Sequence, residues 1–293
     1  MTTPQFSRYI QPARRRPQLW RLVAGVLVIV VSYAVGIVLL LWLVSLVEGA
    51  RGLRATMAGL SSPSTPRDMV ILFATFPGAG LGAMIAARLL HGRPVASLFG
   101  RASRLMRDFV RALGVMAVFA VVYLSIWSLF HDAIPNLGAR QWLAVLPLSL
   151  VLLLLQTGTE EIVFRGYLQQ QLAARFRSPV VWMILPSLGF AALHYDPALR
   201  PGENLFLLSS AGVFGLAAAD LTRVTGNLGT AWGFHFANNF LALAILALNG
   251  SMTGFALFVT PYDQARALHS PVLMASDLLA TVLVWAVLRR LAR

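Results

Sequence analysis

Two adjacent carboxylates, Glu160 and Glu161, and an arginine, Arg165, follow directly on the apolar run Val151 to Leu155. An ionisable side chain in hydrocarbon costs about 2.5–3.5 kcal/mol on insertion scales, so each of the three requires a partner or a function. Helical geometry separates them. Neighbouring residues lie about 100° apart on a helix, so the two glutamates cannot share a face. Glu161 and Arg165 are four residues apart and can pair along one face, each neutralising the other. Glu160 is left with no local partner. An unpaired carboxylate in apolar surroundings is a stronger base than one in water, which suits proton abstraction from a nucleophile. Glu160 is therefore the candidate catalytic residue, with Glu161 and Arg165 as its structural support.

Three further polar groups interrupt later apolar runs. His194 closes Phe190-Ala191-Ala192-Leu193-His194, and Phe190, four residues earlier, shares its face and would wall a pocket on that side. His235 and Asn239 are also four apart and project from one face, with Asn238 turned away. At 1.5 Å per residue from the adjoining arginine-rich loops, Glu160 and His194 both lie about 22 Å deep, and His235 and Asn239 about 12 and 18 Å deep. The four groups share one layer and can converge. A histidine or asparagine in such a helix also serves as an interhelical hydrogen-bonding partner. His91, His131 and His269 fall in loops and read as solvated, Asp220 and Arg223 as marking a helix end, and Asp277 as an intramembrane acid with no assigned role.

The elements that must position these groups are apolar helices. The chain has 293 residues, 58% hydrophobic and only 12% charged, about half the charged content of a soluble domain. Its apolar stretches run approximately 22–47, 69–90, 110–130, 142–167, 180–194, 205–219, 228–248 and 272–288, the fifth and sixth being short. This predicts an all-α integral membrane protein with about eight transmembrane helices and an intramembrane site in the core. Residues 1–19 read as a short, basic, mobile cytoplasmic tail and 20–293 as a single polytopic domain. The first stretch is too long for the apolar core of a signal peptide and reads as a retained span. With no cysteine, thiolate catalysis, thiolate metal sites and disulfides are excluded.

The net charge of +13 comes entirely from arginine over acid, and the arginines cluster in alternate short loops. That is the distribution that orients membrane proteins, with both termini cytoplasmic, rather than a nucleic-acid footprint. The short loops suit a bacterial inner membrane. Gly78-Ala79-Gly80-Leu81-Gly82 imitates a dinucleotide fingerprint, but it lies inside an apolar span, where Gly78 and Gly82 form a small-xxx-small helix-packing pair.

Glu-Glu-x-x-x-Arg, then Phe-x-x-x-His, then His-x-x-x-Asn on successive apolar stretches resembles the CPBP family of intramembrane proteases. That family includes the type II CaaX prenyl endopeptidases and the bacterial Abi or bacteriocin-immunity proteins. The resemblance covers about 142–248, the protease-like core. It implies that Glu160 is the catalytic glutamate, that Glu161 and Arg165 complete the first motif, and that His194 is the second-motif histidine. By the same resemblance His235 and Asn239 lie near the substrate carbonyl.

The activity expected is endopeptidase hydrolysis of a membrane-anchored or terminal-signal peptide at the bilayer. Glu160, assisted by His194, would activate water, and His235 and Asn239 would donate to the developing oxyanion. Members of the family are also described as metalloproteases, and Glu160, His194 and His235 could together ligate zinc or another divalent metal. No His-Glu-x-x-His helix is present, and a glutamate used as a ligand cannot also be the free base. A metal-free mechanism without cofactor is favoured. The alternatives are a non-catalytic scaffold or immunity protein and a proton-coupled transporter, although no inverted repeat supports the latter.

Overall fold

The computed structural model describes residues 3–292. A short helix, α1 (Pro4–Ile10), is followed by a 3-10 turn and the long helix α2 (Leu19–Ser61), in which Gly49 takes a non-helical conformation. Next come α3 (Pro66–Ala74), α4 (Pro77–Ile85), α5 (Ala102–Trp127) and a two-residue strand β1 (Ile134–Pro135). Helix α6 (Ala139–Glu161) passes through a π-helical segment, Ile162–Gln169, into α7 (Gln170–Arg175). The chain continues with α8 (Leu185–Ala192), α9 (Pro201–Thr225), α10 (Gly229–Phe240), β2 (Leu246–Asn249), β3 (Phe258–Asp263), α11 (Gln264–His269) and α12 (Pro271–Leu291).

The protein is an all-α integral membrane protein, but the expected eight spans are not all reached. Six helical stretches among the described residues are long and apolar enough to cross a bilayer: Leu19–Ser61, Pro66–Leu90, Val95–Trp127, Ala139–Arg175, Pro201–Thr225 and Pro271–Leu291. The fifth expected span is the shorter apolar helix Val180–Ala192, which reaches only about 20 Å of a hydrocarbon core about 30 Å thick. The seventh stops early because the chain leaves the helix at Leu246 and enters β2. There β3 pairs with β1 antiparallel and β2 parallel, a small sheet that the apolar pattern did not reveal. Helix α10 is buried among α5, α6 and α9, while α8 packs one face on α9 and leaves Leu185 and Leu188 exposed.

The long helices divide the work. Much of α2 faces outward, with Val23, Leu27, Val38 and Leu46 exposed, as a lipid-facing helix requires. Its inner face meets α4 across the glycine pair read from the sequence. A Cβ at Gly78 would lie 2.7 Å from the Ser32 carbonyl oxygen, and one at Gly82 would lie 2.7 Å from Ile29 Cα. The pair therefore serves close helix packing.

The N-terminal segment, expected to be a mobile tail, is instead folded onto the bundle. Thr3 caps α1 by accepting from the Phe6 amide, and Pro4 stands at the first turn, where its missing N–H is harmless. Phe6, Tyr9 and Ile10 then fall on one face and are buried. The Phe6 ring lies 5.0 Å from that of Trp182, and the Tyr9 hydroxyl donates to the Leu98 carbonyl at 2.5 Å.

Both chain ends meet one end of the bundle. Thr3 donates to the Arg223 carbonyl at 2.7 Å, while Arg289 of α12 donates to Asp220 at 2.7 Å. Asp220 also pairs with Arg223, so these two residues close the end of α9 before Gly226, which adopts φ 68°. His91 is a further correction, since it is buried rather than solvated. Its Nδ1–H donates to the Arg16 carbonyl, Nε2 accepts from the Tyr167 hydroxyl, each at 2.9 Å, and burial lowers its pKa below the ordinary imidazole value.

Candidate active site

The site forms where α6 and α8 end, against the middle and end of α10. Glu160 and Glu161 occupy the last α-helical turn before the backbone shifts to π geometry at Ile162. Such π segments are frequent at functional sites. Glu161 and Arg165 pair at 2.9 Å with side chains 0% and 2% exposed. Arg165 also donates to the Gly215 carbonyl of α9 at 3.2 Å, and its guanidinium lies 4.8 Å from the centre of the Phe190 ring. The pair thus ties α6, α8 and α9 together.

Helix α10 is aimed at the two glutamates by its first turn. Asn227 accepts from the Gly229 amide at 2.7 Å and donates to Asp108 of α5 at 2.9 Å. One turn later Trp232 donates to Thr157 at 3.1 Å, and Gly158 leaves room for the indole, since a Cβ there would lie 2.8 Å from it. His235 is consequently driven between the carboxylates. Its Nδ1 is 2.8 Å from Glu161 Oε1, and its Nε2 is 3.3 Å from Glu160 Oε2.

Hydrogen-bond chemistry fixes what this means. Glu161, paired with Arg165, is an acceptor, so Nδ1 of His235 must carry a proton and donate it. Nε2 and Glu160 Oε2 then face each other at 3.3 Å. Glu160 therefore has a partner after all, supplied by another helix. His235, with both nitrogens facing carboxylates, is that partner.

Glu160, His194, His235 and Asn239 all line one cavity of about 750 Å³, together with Gln156 and Phe190. This falls within the usual 300–1,000 Å³ of ligand sites. His194 lies just beyond α8, where its Nδ1–H donates to the Phe190 carbonyl at 2.9 Å. A neutral His194 thereby keeps Nε2 as a lone pair for a water or substrate group. Phe190 holds the wall, with its ring centre 4.8 Å from that of His194, 5.8 Å from His235 and 5.4 Å from Phe164.

Asn239 donates to Gln156 Oε1 at 3.0 Å, and its own carbonyl oxygen accepts from Asn238 at 3.3 Å. Asn238, read as turned away, lines the same cavity. Gln156 was missed by the sequence reading although it stands one helical turn before Glu160. Phe214 was also missed. Its ring centre is 5.0 Å from that of His235 and 4.6 Å from that of Phe234, and nothing in its apolar neighbourhood distinguishes it in the sequence.

Among the described residues no group of three histidine, aspartate or glutamate side chains is placed to hold a metal ion. Glu160 and His235 are adjacent, while Nδ1 of His235 faces Glu161 and Nδ1 of His194 donates to a backbone carbonyl.

A Bacillus subtilis (strain 168) protein described as uncharacterized protein YyaK is 24% identical over 270 residues, which cover 86% of each chain. No solved structure is a significant match. Residues 140–241, the segment from the start of α6 past Asn239 that carries all four cavity groups, match the family of type II CAAX prenyl endopeptidase Rce1-like proteins, the family to which the three motifs point.

Proposed function

We propose that this protein is an intramembrane endopeptidase that hydrolyses a peptide bond of a membrane-associated substrate with water activated by Glu160. The observation that carries the proposal is the Glu161–His235–Glu160 chain, at 2.8 and 3.3 Å, on the wall of a large intramembrane cavity. The Rce1-like match over residues 140–241 supports a protease of the CAAX type.

Glu160 acts as the free carboxylate, with Nε2 of His235 beside it. Glu160 takes a proton from water as the oxygen attacks the scissile carbonyl carbon. Nε2 of His194 accepts the water's second hydrogen and fixes its orientation. The developing oxyanion receives hydrogen bonds from His235 and from the amide of Asn239, which exchanges Gln156 for the substrate oxygen. Collapse returns the proton from Glu160 to the departing amine. Glu161 faces Arg165 and His235 and takes no part in the proton transfer.

The chemistry uses no metal in this proposal. Protein stripped with a strong chelator and reconstituted in liposomes is expected to hydrolyse a pool of internally quenched peptides at its untreated rate. A rate lost on stripping and restored only by added zinc would contradict the metal-free mechanism.

The orientation follows from charge. The end of the bundle that receives both termini also carries Arg223 and Arg289, and the arginine-rich loops support a cytoplasmic side for it in a bacterial inner membrane. A reporter fused behind Arg293 is expected to be active only in the cytoplasm; periplasmic activity would reverse the topology.

A further inference from the structure

Asp277 of α12 lies in a membrane-spanning helix and has no cationic partner among the described residues. The other carboxylates in the spanning helices are each matched. Glu48 and Asp68 pair with Arg67, Asp108 with Arg107, Glu161 with Arg165, Glu203 with Arg200, and Asp220 with Arg223 and Arg289. Glu160 has His235. Asp277 receives only a hydroxyl, donated by Ser210 of α9 at 2.6 Å to Oδ2. A carboxylate at such a position is costly unless it has a partner, and a single hydroxyl leaves its charge uncompensated.

Its surroundings show where a partner would come from. Asp277 and Ser210 line the cavity that contains Glu160, and both also line a second cavity of about 390 Å³ reaching Tyr123, Trp127 and Tyr262. Leu207, Asn238, Ala242 and Thr281 are shared by the two cavities as well, so they adjoin at this point. Asp277 is itself exposed in the structure. The walls around it are otherwise mainly apolar and carry no arginine or lysine.

We infer that Asp277 is a substrate-specificity residue that binds a basic group of the substrate peptide, a lysine or arginine side chain or a free amino terminus, beside the scissile bond. The inference rests on the peptidase reading of the Glu160 cavity. Ser210 holds one carboxylate oxygen in place, and the other is open to the incoming cation. A charge-assisted hydrogen bond favours the charged peptide over its neutral counterpart by about ten- to one-hundred-fold.

The test uses matched fluorescent peptides of one apolar sequence carrying a single lysine, glutamine or glutamate at successive positions. Acetylated and free amino termini are compared, which separates a terminal from a side-chain cation. Binding is read by fluorescence anisotropy on Glu160→Gln protein, alone and combined with Asp277→Asn or Asp277→Lys. Cleavage is read on the corresponding proteins with Glu160 intact.

The expected result is tighter binding of a cationic peptide by about tenfold or more, a ratio near one with Asp277→Asn, and a preference for glutamate with Asp277→Lys. In cleavage the selectivity should appear in KM rather than kcat. Asn retains the hydrogen bond from Ser210, so a purely structural Asp277 would leave the ratio unchanged in folded Asp277→Asn protein, and that result would overturn the inference. Equal binding of the lysine, amino-terminal and glutamine peptides to the Asp277 protein would overturn it as well. Charge-selective binding without cleavage by any protein would instead count against the peptidase reading alone.

Discussion

Glu160→Gln protein is expected to insert and fold as the wild type does while hydrolysing peptide about 10²–10⁴-fold more slowly. Glutamine keeps the volume of the side chain and can still hydrogen-bond to Nε2 of His235, 3.3 Å from the present carboxylate oxygen. What it cannot do is take a proton from water. The loss should therefore appear in kcat, with peptide binding retained. Thermal unfolding of purified protein and a single-turnover assay read the two properties separately. A glutamine variant that is both fully folded and fully active would show that another group activates the nucleophile.

The second large effect is on stability. Glu161 and Arg165 are 0% and 2% exposed and 2.9 Å apart, so Arg165→Ala leaves a buried carboxylate without its countercharge. Breaking such a pair on one side costs about 3–5 kcal/mol, a large part of the stability of an ordinary domain. Arg165→Ala also removes the donor to Gly215 and the cation above Phe190. Folded protein in the membrane should fall sharply. Combining Glu161→Gln with Arg165→Met removes both charges, while the amide oxygen can still accept from Nδ1 of His235. Partial recovery of abundance is expected in the double variant. Normal abundance of Arg165→Ala with activity lost would place Arg165 in the chemistry instead.

The contacts legible in the sequence were those set by spacing on one helix. Glu161 with Arg165, Phe190 with His194, and Gly78 with Gly82 are each four apart, and their geometry follows from helical pitch alone. What crosses between helices was not legible. The sequence left Glu160 without a partner, yet His235, 75 residues later, stands beside it, because Asn227, Asp108, Trp232 and Thr157 set the height of α10. Hydropathy located the long helices, but its count of eight is not confirmed, since Val180–Ala192 is short and α10, buried among its neighbours, need not be long enough to cross alone. The small sheet escaped because Leu246–Asn249 is as apolar as the helix before it. The docked N-terminus escaped because its arginines were weighed and the periodicity of Phe6, Tyr9 and Ile10 was not.

The central claim is that the cavity around Glu160 and His235 hydrolyses peptide bonds. The most direct test is mass spectrometry of new peptide termini in native membranes incubated with purified wild-type or Glu160→Gln protein. New termini close to the ends of membrane-spanning segments should appear with the wild type and be absent with the variant. An identical set of termini in the two samples, with both proteins shown to be folded, would contradict the account and leave the protein a scaffold or a transporter.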